Sequence, residues 1–276
     1  MMRKTILFFA LFFVAMLPSF GQSPATPYGN NPETGAFKKI NGINLYYETY
    51  GSGKPLVLLH GNGGSIKGAR NKIEYFKKYF QVIAIDNRGH GKSADPSPHL
   101  TYMQMTEDVA ALLDSLHLDS VYVSGQSDGG ILGLLLAINH PNKVSKVVTF
   151  GANMFPGNKA IPDVIDKMIM DTLRLTKNFQ TRRLFELMGQ QPDITEKDLQ
   201  KITCPFLLIF GDRDVIRLEH ALTMFYNIKR SNLFIMPGAT HFGSIEKPEL
   251  FNAVVMDFFN KPFAMPSTVE MFTGKK

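Results

Sequence analysis

Cysteine is nearly absent: among 276 residues there is one, Cys204, so no internal disulfide can form and stability must come from a packed core. Cys204 precedes Pro205 at the head of an apolar run, where a thiol packs as a small hydrophobe, and neither a base nor an exposed turn stands beside it to make it a nucleophile. Blocks of like charge are also missing. Lys and Arg outnumber Asp and Glu by 30 to 24, but the basic residues are scattered and form only short pairs such as Lys77-Lys78 and Lys275-Lys276. Nucleic-acid binding wants a concentrated basic stripe, so no nucleic-acid partner is expected. No Cys/His cluster and no H-E-x-x-H pattern occurs, so neither a metal nor an organic cofactor is expected. Internal repeats are lacking too.

One apolar run stands out, at the N-terminus. Arg3 and Lys4 precede it, residues 5–17 form it, and Pro18 breaks it. Ser19 and Gly21 then place small residues three before and one before a cleavage point, so residues 1–21 read as a signal peptide with a mature start near Gln22. A helix that spans a bilayer needs about 20 apolar residues, more than this run provides. The expectation is an exported protein, periplasmic or secreted, with no stable membrane anchor after cleavage. Removing Arg3 and Lys4 lowers the formal net charge from +6 to +4.

Residues 22–35 are rich in Pro, Gly, Asn and Ser, and read as a flexible lead-in. Residues 37–40 and 43–50 flank Asn41-Gly42, a strong hairpin signal. Strand patterns follow at 55–59, 81–86, 121–124, 143–150, 206–210 and 232–236. Helical patterns lie at 66–79, 129–138, 217–228 and 248–259, and another follows Thr101, which with Gln104 makes a capping box. Alternating strands and helices after a hairpin imply an α/β fold, a mostly parallel sheet with helices on both faces. Residues 154–201 interrupt the rhythm and look helical, so they read as a small helical cap inserted into a core of residues 36–153 and 202–262. The tail, residues 263–276, carries no assignable pattern.

The sharpest motif is Gly125-Gln126-Ser127-Asp128-Gly129, a G-x-S-x-G nucleophile elbow. It follows an apolar strand and opens a helix, and its small flanking residues suit a tight turn. A serine hydroxyl needs a base to take its proton, and the base needs an orienting acid. Asp212 and Asp214 come directly after the 206–210 strand, and His241 follows the next strand, so all three groups sit at strand C-terminal ends, where open α/β sheets place their ligand sites. His117, His140 and His220 read as surface or helix-end residues, and His99 lies in a loop. A tetrahedral intermediate needs two backbone N–H donors. One is the amide of Asp128, directly after the serine. The other comes from the glycine loop His60-Gly61-Asn62-Gly63-Gly64, whose spacing matches neither a phosphate loop nor a dinucleotide fingerprint. His60 is read as a brace for that loop.

These motifs together resemble the α/β-hydrolase superfamily over nearly all of the mature length. Asp86-Asn87-Arg88-Gly89-His90-Gly91-Lys92-Ser93 matches the family's D-x-R-G-H-G-x-S scaffold element, which gives Arg88 and His90 structural roles. The family's G-D-x-D pattern implies Asp214 as the third triad member and Asp212 as the loop-structuring acid. Its H-G motif implies the Asn62 amide as the second oxyanion donor. Ser127-Asp128-Gly129-Gly130-Ile131, followed by Gly151-Ala152-Asn153, resembles the valacyclovir-hydrolase (biphenyl-hydrolase-like) branch, whose members favour amino-acid esters. A carboxylate beside the nucleophile would attract a substrate α-ammonium; alternatively, Asp128 hydrogen-bonds within the cap or serves the helix start.

The expected function is therefore a serine hydrolase acting through an acyl-enzyme on a small ester or amide substrate, with Ser127, His241 and Asp214 as its catalytic residues and an amino-acid ester as one candidate substrate. Alternatives on the same fold are a carbon–carbon bond hydrolase, an N-terminal peptidase and a non-catalytic binding protein. A cationic pocket in the cap would favour the carbon–carbon reading.

Overall fold

The computed structural model describes residues 26–274; the expected signal peptide lies outside the described residues. The first two strands, β1 (Gly35–Ile40) and β2 (Ile43–Tyr50), form an antiparallel hairpin with Ile40 opposite Ile43. Asn41 and Gly42 both take positive φ, 43° and 86°, the geometry that Asn-Gly supplies in a two-residue turn matched to strand twist. β3 (Pro55–Leu59), β4 (Gln81–Ile85), β5 (Val121–Gln126), β6 (Val144–Phe150), β7 (Phe206–Gly211) and β8 (Ser231–Met236) complete one eight-stranded sheet of order β1-β2-β4-β3-β5-β6-β7-β8. All pairings from β4 to β8 are parallel.

Helices cover both faces. Along β3, Val57 and Leu59 join one buried cluster while Leu56 and Leu58 join the other, the period-2 alternation of a strand with no solvent face. The helices α1 (Arg70–Phe76), α2 (Tyr102–Ser115) and α3 (Asp128–Asn139) connect the early strands. α3 is apolar on every side and almost wholly buried, which places its N-terminus, and so Ser127, at the centre of the sheet's C-terminal edge.

The stretch between β6 and β7 carries α4 (Asp163–Leu175), α5 (Phe179–Gln190) and the short α6 (Glu196–Leu199). It is tied to the segment between β4 and α2 by polar contacts. The buried Arg183 donates from Nη1 to the carbonyls of Asp95 and Ser97, each at 2.8 Å, and Gln180 Nε2 donates to the carbonyl of Gly89 at 2.8 Å. α7 (Leu218–Asn227), α8 (Gly243–Glu246), α9 (Pro248–Asn260) and α10 (Thr268–Thr273) complete the chain order.

The scaffold element after β4 works as a set of buried polar contacts. Asp86 accepts from the backbone N–H of Ile66 and of Lys92, both at 2.8 Å, and a Cβ on Gly91 would lie 2.1 Å from its Oδ2. Arg88 donates to both carboxylate oxygens of the buried Asp108, at 2.6 and 2.9 Å, and to the carbonyl of Asn41 at 2.9 Å. His90 Nδ1 lies 3.0 Å from the Arg88 carbonyl. Both residues therefore have the structural place expected of them.

Several expectations need correction. The 66–79 helix is a 3-10 turn (Ile66–Ala69) followed by α1, which ends at Phe76. Only half of the capping box forms: Thr101 accepts from the Gln104 N–H at 3.0 Å, but the Gln104 side chain turns away from the cap and donates from Nε2 to the carboxylate of Asp108 at 3.3 Å. His220 does stand at a helix start, yet it is buried, with Nε2 accepting from the Met154 N–H at 2.9 Å. Part of the lead-in is packed, since the fully buried Glu48 accepts from the N–H groups of Gly29 and Asn31 at 2.9 Å. The unassigned tail includes α10, capped by Ser267. Among the described residues, no helix is long and apolar enough to cross a membrane.

Candidate active site

Ser127 joins β5 to α3 in a conformation that few L-residues adopt, φ 53° and ψ −118°. Such a turn stores about 1–3 kcal/mol and persists only where its surroundings over-determine it. Here the Ser127 N–H donates to the carbonyl of Phe150 at 2.8 Å. Cβ atoms added at Gly125 and Gly129 would lie 2.1 Å from the Gly129 carbonyl oxygen and 2.2 Å from the Leu59 carbonyl oxygen, so both positions of the motif need glycine.

The turn points Oγ of Ser127 at His241 Nε2, 3.0 Å away. On the far side of the ring, Nδ1 meets Asp214 Oδ1 at 2.6 Å. The Asp214 carboxylate is fully buried and held by the Ile216 N–H at 3.0 Å and the Gly211 N–H at 3.3 Å. Asp212, the competing acid, turns away and accepts from the Ala239 N–H at 3.3 Å. The backbone N–H groups of Gly238 and Ala239 hold its carboxyl below the usual range, as suits an acid that shapes a turn.

Three strand ends thus converge, as the chain order Ser, Asp, His requires. Gly151 at the end of β6 makes the room. It has φ +65°, and a Cβ there would come 2.6 Å from His241 Cε1 and 2.7 Å from Nδ1. Replacing Gly151 by Ala is expected to push the imidazole off its line with Ser127 and to lower kcat about 10²-fold, since misplacement near 1 Å carries that penalty. Steady-state kinetics beside a thermal melt check it: a folded variant with unchanged kcat refutes the packing argument.

A cavity of about 550 Å³ opens over the serine, within the range of small-molecule sites. His60, Gly61, Asn62, Ser127, Asp128 and His241 line its floor, and Ile161, Ile165, Met168, Ile169 and Met188 bring an apolar wall from the α4–α5 region. No described acceptor takes the Asn62 N–H. Its side chain donates instead to Asp128 Oδ2 at 2.9 Å and to the carbonyl of Leu184 at 3.2 Å. His60 braces the loop as expected, with Nε2 accepting from the Asn87 N–H at 3.0 Å and Nδ1 set 2.8 Å from the Gly61 carbonyl. Burial pushes it down to about 3, so the ring is neutral.

A family model described as alpha/beta hydrolase fold matches residues 54–172. The serine hydrolase BPHL of Homo sapiens is 29% identical, the match covering 85% of this chain and 89% of that one. The 2-hydroxy-6-oxo-2,4-heptadienoate hydrolase of Pseudomonas putida strain F1 is 27% identical over 83% of this chain and 97% of its own. Among solved structures, the enol-lactonase from Burkholderia xenovorans LB400 superposes with a TM-score of 0.70 at 20% identity, covering 82% of this chain and 100% of that one. The chain is a hydrolase of the α/β-hydrolase fold. The resemblance to the BPHL branch, first carried by Ser127-Asp128-Gly129-Gly130-Ile131, extends through most of its length.

Several residues of the hydrolase's site carried little signal in sequence. Gln126 is only the variable position of the elbow, yet its Nε2 donates to the His241 carbonyl at 2.9 Å while its Oε1 accepts from Ser244 Oγ at 2.8 Å and from Lys72 Nζ at 3.2 Å. Tyr102 hydrogen-bonds Asp128 from the start of α2. These groups meet through pairings far apart in sequence, and no local pattern announces them.

The hydrolase's two charged cavity residues differ in electrostatics. Burial raises the Asp128 carboxyl to about 6, against hydrogen bonds from Asn62 and Tyr102 and attraction to His241 that favour the anion. Burial pushes the Lys72 ammonium down to about 8, with no carboxylate paired to it among the described residues.

Proposed function

We propose that this hydrolase cleaves a small carboxylic ester or amide through an acyl-enzyme on Ser127, with amino-acid esters as its preferred class. The observation that carries this is the continuous line from Ser127 Oγ through His241 to Asp214, with spacings of 3.0 and 2.6 Å, on the floor of the cavity. Ser127 attacks the carbonyl carbon while His241 Nε2 takes its proton. Asp214 holds the Nδ1–H tautomer and stabilises the imidazolium. The alcohol or amine leaves with the proton from His241, and a water molecule repeats both steps to release the acid. The N–H groups of Asn62 and Asp128 serve the oxyanion.

In this reading the Asp128 carboxylate takes the substrate's α-ammonium. Hydrogen bonds from Asn62 and Tyr102 fix it at the cavity floor, and among the described residues it is the one acidic side chain lining that cavity. The test is a matched pair of esters, one aminoacyl and one its des-amino analogue, with Ser127→Ala as the blank. The aminoacyl ester is expected to be the better substrate by about tenfold, the worth of a charge-assisted contact in a partly desolvated cleft. Because the Asp128 pKa is raised, ammonium recognition needs pH above that value. The ratio of the two kcat/KM values is therefore expected to be full near pH 7 and to fall as pH drops through about 6. Dividing one substrate by the other cancels whatever pH dependence the two esters share. Equal rates at every pH would remove Asp128 from recognition and leave the serine chemistry.

The carbon–carbon bond reading lacks the cationic cap it wanted. Arg183, the buried cation of α5, is committed to the carbonyls of Asp95 and Ser97, and the α4–α5 wall of the cavity is apolar. Export is part of the same proposal and rests on residues 1–21 alone. Sequencing the protein recovered outside the cytoplasm is expected to begin near Gln22, and an intact Met1 there would overturn it.

A further inference from the structure

The cavity has two unlike halves. One lies beneath α4 and α5 and is lined by aliphatic side chains; the other runs between α1 and α8 and sets the polar Asn71, Lys72, Gln126 and Ser244 beside the apolar Ala69, Phe242 and Ile245. Among the described residues, Lys72 is the charged group lining that second side. It is half-buried, its Nζ lies 5.1 Å from the ring centroid of Phe251 on α9, and its one hydrogen bond goes to the neutral Gln126 Oε1 at 3.2 Å, an oxygen already shared with Ser244 Oγ. An ammonium carries three donors and no acceptor. A partly desolvated ammonium without an anionic partner is costly, and an anionic group of a ligand would offset that cost.

Its placement relative to Asp128 is informative. Asp128 follows Ser127 and turns toward Asn62, Tyr102 and the α5 side of the cavity. Lys72 reaches the residue that precedes Ser127, on the α1–α8 side. The cavity thus carries opposite charges, one bonded to the residue that precedes the nucleophile and one on the residue that follows it, and a substrate whose carbonyl sits at Ser127 can extend one half toward each.

We propose that Lys72 seats a carboxylate on the leaving group of the substrate, so that the substrate class is a small zwitterion with its ammonium on the acyl side and its carboxylate on the departing side. An aminoacyl ester of a hydroxy acid has that layout, and so does a dipeptide. The inference deepens the serine-hydrolase reading and rests on it for the position of the carbonyl.

The test separates the two. Butyryl glycolate and the butyryl ester of glycolamide differ in the leaving-group carboxylate and carry no ammonium, so Asp128 does not bias the comparison. Their binding to the Ser127→Ala protein is measured by calorimetry, where no turnover is needed. The glycolate ester is expected to bind about tenfold more tightly, the scale of one charge-assisted contact. Adding Lys72→Met should erase the difference, whereas Lys72→Arg should retain most of it. Equal affinities in the protein that keeps Lys72 overturn the inference, and they do so even if Lys72→Met fails to fold. A Lys72→Met loss of equal size for both esters also overturns it, assigning Lys72 to holding Gln126 instead. Hydrolysis of the same two esters by the enzyme with Ser127 intact reports on the serine-hydrolase reading separately: absent turnover counts against that chemistry, and the binding difference still decides Lys72.

Discussion

Ser127→Ala is expected to lower kcat by about 10⁶-fold, the cost of deleting the nucleophile from a Ser-His-Asp constellation. The size follows from geometry. With Oγ gone, His241 Nε2 loses the hydroxyl that stood 3.0 Å away and faces a methyl group in its place, and among the described residues no other hydroxyl is hydrogen-bonded to that ring nitrogen. The expected residue of activity, about 10³–10⁴ over water, comes from oxyanion donors and positioning that the substitution leaves intact. Purified wild-type and variant proteins assayed on one activated ester, with fluorophosphonate labelling as a second readout, decide the matter. A variant that keeps more than a few per cent of the rate, or still takes the label, would remove Ser127 from the chemistry. Stability should not fall, because Ala relieves none of the packing that enforces the turn and leaves the Ser127 N–H bond to the Phe150 carbonyl in place.

Asp214→Asn should cost about 10⁴-fold in kcat with little change in fold, because an amide in that place favours the wrong imidazole tautomer while preserving shape. Asp212→Asn is the informative partner. Its carboxylate is fixed on the turn at Gly238 and Ala239, whereas the hydrogen bond to His241 belongs to Asp214, so its removal should change kcat by no more than severalfold and act on the stability of the β8–α8 turn. Measuring kcat for both variants at one pH, together with their melting temperatures, separates an orienting acid from a turn acid. If the two exchange roles, the resemblance-based choice between them is wrong even though the 2.6 Å contact to His241 belongs to Asp214.

Much of the framework was legible because its signals are local. The Asn41-Gly42 turn, the fully apolar strands and the glycine-flanked serine each carry their reason within a few residues: positive φ, burial on two faces, or a turn with no space for Cβ. The Asp86-to-Ser93 element was legible in the same way, and its buried contacts explain its composition, with Arg88 neutralising Asp108 and Gly91 clearing Asp86. The helix at 66–79 shows the limit of a periodic pattern. Its apolar spacing is right, but the segment opens with a 3-10 turn at Ile66–Ala69 whose first N–H is capped by Asp86, a residue 20 positions later that no local pattern announces.

By itself, the sequence determined the class of this protein: an α/β hydrolase with a serine elbow, a histidine and two candidate acids at successive strand ends, because period, turn chemistry and chain order are written in neighbouring residues. The tertiary structure decided which acid meets His241, that Gly151 clears the imidazole, and that Lys72 reaches Gln126 while Asn62 holds Asp128. Those facts depend on contacts between residues 27 to 114 positions apart, and such contacts exist only once the parallel strands have been set side by side.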